Sequence, residues 1–303
     1  MKVARLALSN GQALQAMIRY QLMVPQLRVL LRSFLLLLAM SLSGSFLVSA
    51  QAGDWQLVDS AEPESLGDGI SYVRKSVRAT GDTGFFSRKT IDLVFFEAQY
   101  FTLKVIDEGT EAAPVHEGIA EAMQANFCLA GCNGGFFHPD FRPLGLMIAD
   151  GVRTHKLETS KLLSGLVIAD ADAGGLKLLR RAEFQDRQGI DALLQSGPFL
   201  VDQGTVVAGL SSEPSRRRTF LLWDGKAGKA GRWAMGVSSS LTLAELGAAL
   251  ADADVITEFK VHRALNLDGG SSTGMYFDRG AGEKDFELRP AKRVRNYLGI
   301  APR

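Results

Sequence analysis

The chain has 303 residues, enough for one large domain or two small ones, and 46% of them are apolar, so a full core is available and general disorder is excluded. The formal charge is only +1 but is unevenly placed. Residues 1–50 hold Lys2, Arg5, Arg19, Arg28 and Arg32 and no acid; without them 29 bases face 33 acids, a net of −4 that gives no electrostatic basis for a nucleic-acid partner.

The acid-free start reads as arginines, an apolar run from Phe34, and small residues at Val48, Ser49 and Ala50. That is the layout of a secretory signal, and cleavage after Ala50 or Ala52 fits it. An uncleaved anchor is the alternative, although the run is short for a span and is broken by Ser41, Ser43, Gly44 and Ser45. The expectation is therefore export to the periplasm or medium, with membrane contact only through the N-terminal segment if it stays uncleaved. Residues 51–69 are polar and glycine-bearing, which suggests an extended arm.

Beyond the arm, apolar runs at 70–77, 91–96 and 101–106 read as strands, and "HEGIAEAMQANF" has helical spacing with Ile119, Ala122 and Met123 on one side. Cys128 and Cys132 follow in "CLAGC". In an oxidising compartment they could pair; equally, they could be two buried free thiols. Zinc is disfavoured, because His138 alone does not complete a four-ligand set. Strands are expected at 145–149, 166–169, 176–179 and 199–201, and a short helix between Asp186 and the Gly197-Pro198 stop. Later strands fall at 219–223, 233–237, 264–267, 274–277 and 297–300. Between them "TLAELGAALADA" is a helix, with Thr242 and Glu245 spaced as a capping box. Many short strands with about three helices, not strictly alternating, point to an α+β fold with a mixed β-sheet core and one mature domain.

Several strand ends carry polar chemistry. In "CNGGFFHPD", Asn133, Gly134 and Gly135 could turn the chain with positive φ or let backbone N–H groups approach an anion. In "SRRRTFLLWDG", Arg216, Arg217 and Arg218 run into an apolar strand, whose alternation puts Arg217 on the face opposite the other two. An inward arginine needs an anionic partner. In "ALNLDGGSSTGMYFD", Asp268 ends an apolar run and meets Gly269, Gly270, Ser271 and Ser272. The alternatives are a hairpin turn and a site in which a carboxyl, backbone donors and hydroxyls face a phosphate or sugar. Neither a Walker loop nor a G-x-S-x-G elbow is present.

Taken in order, "NGGFF", "PLGLMIADG", "SGPFLV", "RRTFLLWDG", "LTLAELGAAL" and "LNLDGGSST" resemble the phosphodiester glycosidase family, from about residue 70 to 303. The chain is similar to its exported bacterial-type members. The resemblance implies an α+β domain that hydrolyses a sugar–phosphodiester bond. It implies Asp268, Arg218 and Asn133 as catalytic, and Gly134, Gly135, Arg217, Asn266, Gly269, Gly270, Ser271 and Ser272 as substrate-binding, with the arginine register open by one. Asp140, Asp202 and His138 are candidates for a second catalytic group. Two other readings compete. One is a protein that binds an envelope polysaccharide or sugar phosphate without cleaving it. The other is metal-assisted chemistry, with calcium held at Asp268.

Overall fold

The computed structural model describes residues 55–84, 87–170, 175–252, 254–280 and 282–303. The leader expected over residues 1–50 lies outside them. The chain opens with β1 (Trp55–Ser60), β2 (Glu64–Ser65), β3 (Ile70–Ala79), β4 (Lys89–Glu97) and β5 (Phe101–Asp107), then a small hairpin of β6 (Gly109–Thr110) and β7 (Ala113–Pro114). Helix α1 (Ile119–Ala125) leads into β8 (Ala130–Asn133), β9 (Met147–Ala149), β10 (Val152–Arg153), β11 (Gly165–Asp170) and β12 (Gly175–Arg180). Next come β13 (Ala192–Ser196), β14 (Phe199–Asp202), β15 (Thr205–Val206), β16 (Arg216–Trp223) and β17 (Arg232–Leu241), followed by helix α2 (Leu243–Ala251). The chain closes with β18 (Arg263–Asn266), β19 (Met275–Phe277), β20 (Phe286–Leu288) and β21 (Asn296–Pro302).

The strands form a nine-stranded sheet in the order β1-β3-β4-β17-β16-β18-β14-β15, with β2 added on β3, and two five-stranded sheets. These run β10-β9-β13-β11-β12 and β20-β19-β8-β21-β5. Residues 55–65 of the expected arm supply β1 and β2, both laid antiparallel on β3. The mixed sheet expected from sequence is corrected: every ladder among the described residues is antiparallel, as in the pairs of β16 with β17 and β18 and of β21 with β5 and β8. The fold is mostly β with two α-helices among the described residues.

The helix expected after Asp186 is instead β13. Its apolar run is too short for a helix and is covered on both sides, with Leu193 in one core and Leu194 in another. Both edges of β13 are also paired, to β11 and β9. By contrast, α2 follows its local signals. Thr242 Oγ1 accepts from the Glu245 N–H at 3.1 Å, and Glu245 Oε2 accepts from the Thr242 N–H at 2.8 Å.

The largest core lies among the three sheets, where Val105, Met147, Val167, Leu194, Leu221, Leu265, Met275 and Leu298 meet. Helix α2 covers the other face of the nine-stranded sheet, with Leu246 and Leu250 packed against Phe220, Leu222 and Ala264. Helix α1 buries Ile119 and Met123 with Tyr276 and Tyr297 on the outer face of the sheet containing β8. Three strand ends, those of β8, β16 and β18, therefore converge beside the central core, and they carry the polar residues singled out above.

Candidate active site

Asn133 ends β8 with no exposure to solvent. Its Nδ2 donates to the Asp268 carbonyl at 2.6 Å, while its Oδ1 accepts from Thr219 Oγ1 at 2.7 Å and from the Gly274 N–H at 3.1 Å. The Asp268 N–H in turn donates to the Gly134 carbonyl at 3.0 Å. One amide side chain thus ties β8 to β16 and to both limbs of the turn that carries Asp268. All its hydrogen-bonding groups are spent inside the protein, so Asn133 positions the turn.

The glycines after it are explained by space. Neither Gly134 nor Gly135 has a positive φ, contrary to the turn expected there. A Cβ on Gly134 would lie 2.0 Å from Asn296 Oδ1, and one on Gly135 3.2 Å from Leu194 Cδ1. Asn296 fills that room and accepts from the Gly135 N–H at 2.8 Å. Gly270 does need a positive φ, +63°, and opens the single 3-10 turn Gly270–Ser272.

Asp268 stands half-buried at this junction. Burial raises its pKa above the ordinary carboxylate value, and the Ser272 hydroxyl, the Gly269 N–H and Lys292 pull the other way. The Gly269 N–H donates to Asp268 Oδ1 at 2.9 Å. Ser272 Oγ is buried and close enough to act on the carboxyl but makes no well-formed hydrogen bond. Ser196 Oγ, Asn266 Oδ1, Thr273 Oγ1 and Asn296 Nδ2 are likewise buried without a partner. Ser196, Asn266 and Asn296 lie at ends of β13, β18 and β21, and Thr273 follows the 3-10 turn, so spare polar capacity gathers around this junction. Asn266 donates Nδ2 to the Gly197 and Leu267 carbonyls at 2.9 and 2.7 Å and is 3% exposed, so it shapes the loop rather than facing solvent. Ser271 is exposed.

The three arginines separate. Arg218 faces the α2 side: its Nε donates to the Leu241 carbonyl at 2.8 Å and an Nη to the Pro214 carbonyl at 2.7 Å. Burial and the neighbouring Arg216 lower its pKa. Thr219 is the β16 residue bonded to Asn133, and Arg218 is placed against the Leu241 and Pro214 carbonyls. Arg217 shares the Thr219 face by alternation, and its carbonyl abuts Gly269. The exposed Arg216 lies against Gly270, its Nη1 3.8 Å from where a Cβ would sit.

The other acids considered are engaged elsewhere. Asp140 is exposed and paired with Arg142 at 2.6 Å, which lowers its pKa. Asp202 is held by Arg263 at 2.9 Å and Arg180 at 2.8 Å, inside a network that also includes Glu183. His138 bonds through its backbone to Arg142. Among the described residues no three acidic, histidine or cysteine side chains converge. Cys128 and Cys132 are both free and buried in separate cores, so the paired alternative is not realised. Burial pushes the Cys128 thiol up to about 12 and the Cys132 thiol further.

The converging ends of β8, β16 and β18 thus hold a half-buried carboxyl, Asp268, within an antiparallel β fold. The phosphodiester glycosidase family profile matches residues 126–301, more than half of the chain. The chain belongs to that family and is a glycosidase, an enzyme of the hydrolase class. No curated protein sequence matches it. Among solved structures, the fold is similar to a zebrafish N-acetylglucosamine-1-phosphodiester α-N-acetylglucosaminidase catalytic domain auto-inhibited by its pro-peptide. That match has 17% identity and a TM-score of 0.55, covering 82% of this chain and 89% of the other. It is also similar to a hypothetical protein from Synechocystis, at 15% identity and a TM-score of 0.53, covering 80% of this chain. The chain spans 64% of the length of the Synechocystis protein.

Proposed function

We propose that the protein is an exported hydrolase that cleaves a glycosyl-1-phosphodiester bond in an envelope or extracellular glycan, with Asp268 as the proton-handling carboxyl. The observation that carries this reading is the isolation of Asp268: half-buried, raised in pKa, flanked by Lys292 and by the glycine turn against Arg216. Ordinary glycoside hydrolysis relies on two carboxyls, because an alkoxide leaving group needs a proton. A phosphodiester leaving group is already a weak base and departs with the electron pair of the broken C–O bond. Water adds to the anomeric carbon and its proton is taken up at Asp268, so one carboxyl suffices. The products are a free sugar end and a phosphate monoester. The zebrafish relative carries this bond type in its name, which supports the class of bond and leaves the sugar open.

In this reading Asn133 and Asn296 position the turn, and Arg216, Arg217, Gly269, Gly270 and Ser271 face the substrate. The basic groups hold the phosphate while it gains charge. The testing experiment is turnover of a panel of sugar-1-phosphodiesters by the wild type and by Asp268→Asn. Release of sugar and phosphate monoester by the wild type alone supports the reading. Tight binding with no product from any member replaces it with a non-catalytic binding protein, and equal turnover by the variant removes Asp268 from the chemistry.

A further inference from the structure

A second polar cleft of about 410 Å³ opens beside the Asp268 turn, between the segment from Pro114 to Glu121 and the segment from Glu287 to Tyr297. The second segment is fastened to the turn: the Ala291 N–H donates to the Ser271 carbonyl at 2.8 Å. Lys292, next along, reaches both places. It lines the cleft, its Nζ sits 4.7 Å from the centre of the Phe137 ring, and its charge acts on Asp268. The cleft and the carboxyl therefore share a wall.

That wall is basic. Arg289 is held by Glu287 at 3.0 Å. Lys292 and Arg293 are exposed and make no ion pair among the described residues. Opposite them stands His116, its side chain only 9% exposed, with Nδ1 2.7 Å from Glu108 Oε1. The His116 N–H also donates to Glu108 Oε2 at 3.2 Å, and Glu108 itself is 3% exposed. A buried carboxylate that takes both the ring N–H and the backbone N–H of one histidine fixes the tautomer and the direction of the ring. Nε2 is then the free edge, and no partner engages it among the described residues. The cleft also carries acids: Glu117 and Glu121 line it, with the Glu117 N–H donating to Glu121 Oε2 at 2.6 Å.

We propose that this cleft is the subsite for the phosphate and the group beyond it, with Lys292, Arg293 and His116 as phosphate contacts. The inference rests on the phosphodiester reading above and names the substrate class that reading leaves open. Two unpaired cations next to the scissile position suit the phosphate. A single proton between His116 Nε2 and a phosphate oxygen makes the third contact, whichever of the two carries it. Glu117 and Glu121 repel a second anion and accept hydrogen bonds from hydroxyl groups. The aglycone is accordingly a neutral, hydroxyl-rich group such as a sugar or polyol, and not a lipid or a second phosphate.

The test uses phosphate monoesters as probes and needs no turnover. The full chain is titrated with methyl phosphate and with glycerol phosphate while the imidazole resonances are followed by NMR. There are four histidines, and His116→Gln identifies the relevant signal. The His116 signal should move with both probes, and glycerol phosphate should bind more tightly. Lys292→Ala with Arg293→Ala should weaken both by about tenfold or more, and Lys292→Arg should retain most of the affinity. An unmoved His116 signal, or unchanged affinity in the double variant, overturns the subsite. Phosphodiester turnover without phosphate binding here sinks this inference alone. Phosphate binding here without turnover on any sugar phosphodiester sinks the enzymatic reading alone.

Discussion

Replacing Asn133 with Ala separates a positioning role from a contact role. The amide makes three internal hydrogen bonds, to the Asp268 carbonyl and from Thr219 Oγ1 and the Gly274 N–H, and no part of it reaches solvent. Alanine leaves one acceptor and two donors without partners. Each buried orphan costs roughly 1–3 kcal/mol, and the Thr219 hydroxyl can rotate towards another acceptor, so the loss is about 3–5 kcal/mol. For a domain of this size each kcal/mol lowers the melting temperature by about 2–4 °C, which gives a fall on the order of 10 °C. Thermal and urea melts read it directly, and turnover should fall along with stability because the Asp268 turn loses its tether. A variant that melts within about 2 °C of the wild type while losing turnover would refute this reasoning and make Asn133 a substrate contact.

Asp268→Asn tests the raised carboxyl. A folded-state pKa above the ordinary value means the protonated form is favoured by folding; that contribution is full below the ordinary carboxylate pKa and is lost as pH rises through the folded value. The amide keeps an acceptor for the Gly269 N–H without the charge, so the variant should match or exceed the wild type in melts at pH 7 and show no advantage at pH 3; a clear loss at pH 7 contradicts the assignment. Arg216→Ala should raise KM severalfold with little change in melting, whereas Arg218→Ala should lower the melting temperature and leave KM in place; steady-state kinetics with matched melts will show if the two are reversed. Both cysteines should resist a thiol reagent in the native protein at pH 8 and react together on unfolding, since burial holds both thiols in the neutral form; rapid native labelling, or a mass lower by two hydrogen atoms that reduction restores, would count against two buried free thiols.

Much of the fold is legible where a signal is local. The Thr242–Glu245 capping box specifies the start of α2, and apolar runs such as that of β16 mark strands with little displacement at their ends. Reading β13 as a helix failed for a physical reason. Its Leu193-Leu194 pair serves two different cores, and a short run buried on both faces carries no period that distinguishes strand from helix. Sheet direction was also hidden, because strand pairing is decided by long-range topology that no single segment encodes. The Asp268 turn was visible as an acid interrupting an apolar run, yet what holds it was not. Asn133 reaches it across 135 residues, and Asn133 is itself held by Thr219 across 86.

The arginine register shows how the remaining ambiguity resolves. Three consecutive arginines look equivalent in sequence, and a strand forces them onto two faces. Thr219, whose hydroxyl bonds Asn133, puts Arg217 on the side of the turn by alternation, while Arg216, at the strand's first position, reaches Gly270 with its side chain. Arg218 is thereby sent towards α2, where the Leu241 and Pro214 carbonyls receive it. Asn133, expected as catalytic, and Asn266, expected as substrate-binding, are both buried, and their side-chain amides donate to backbone carbonyls of the loops. The groups left to meet a ligand are the half-buried Asp268 and the exposed Arg216, Arg217, Ser271, Lys292 and Arg293. A site assembled this way divides labour by burial. Side chains with no exposure fix the backbone of the turn, and chemistry falls to the half-buried acid and the exposed cations around it. Changes to the first set should therefore appear in melts before they appear in kinetics, and changes to the exposed cations in kinetics alone.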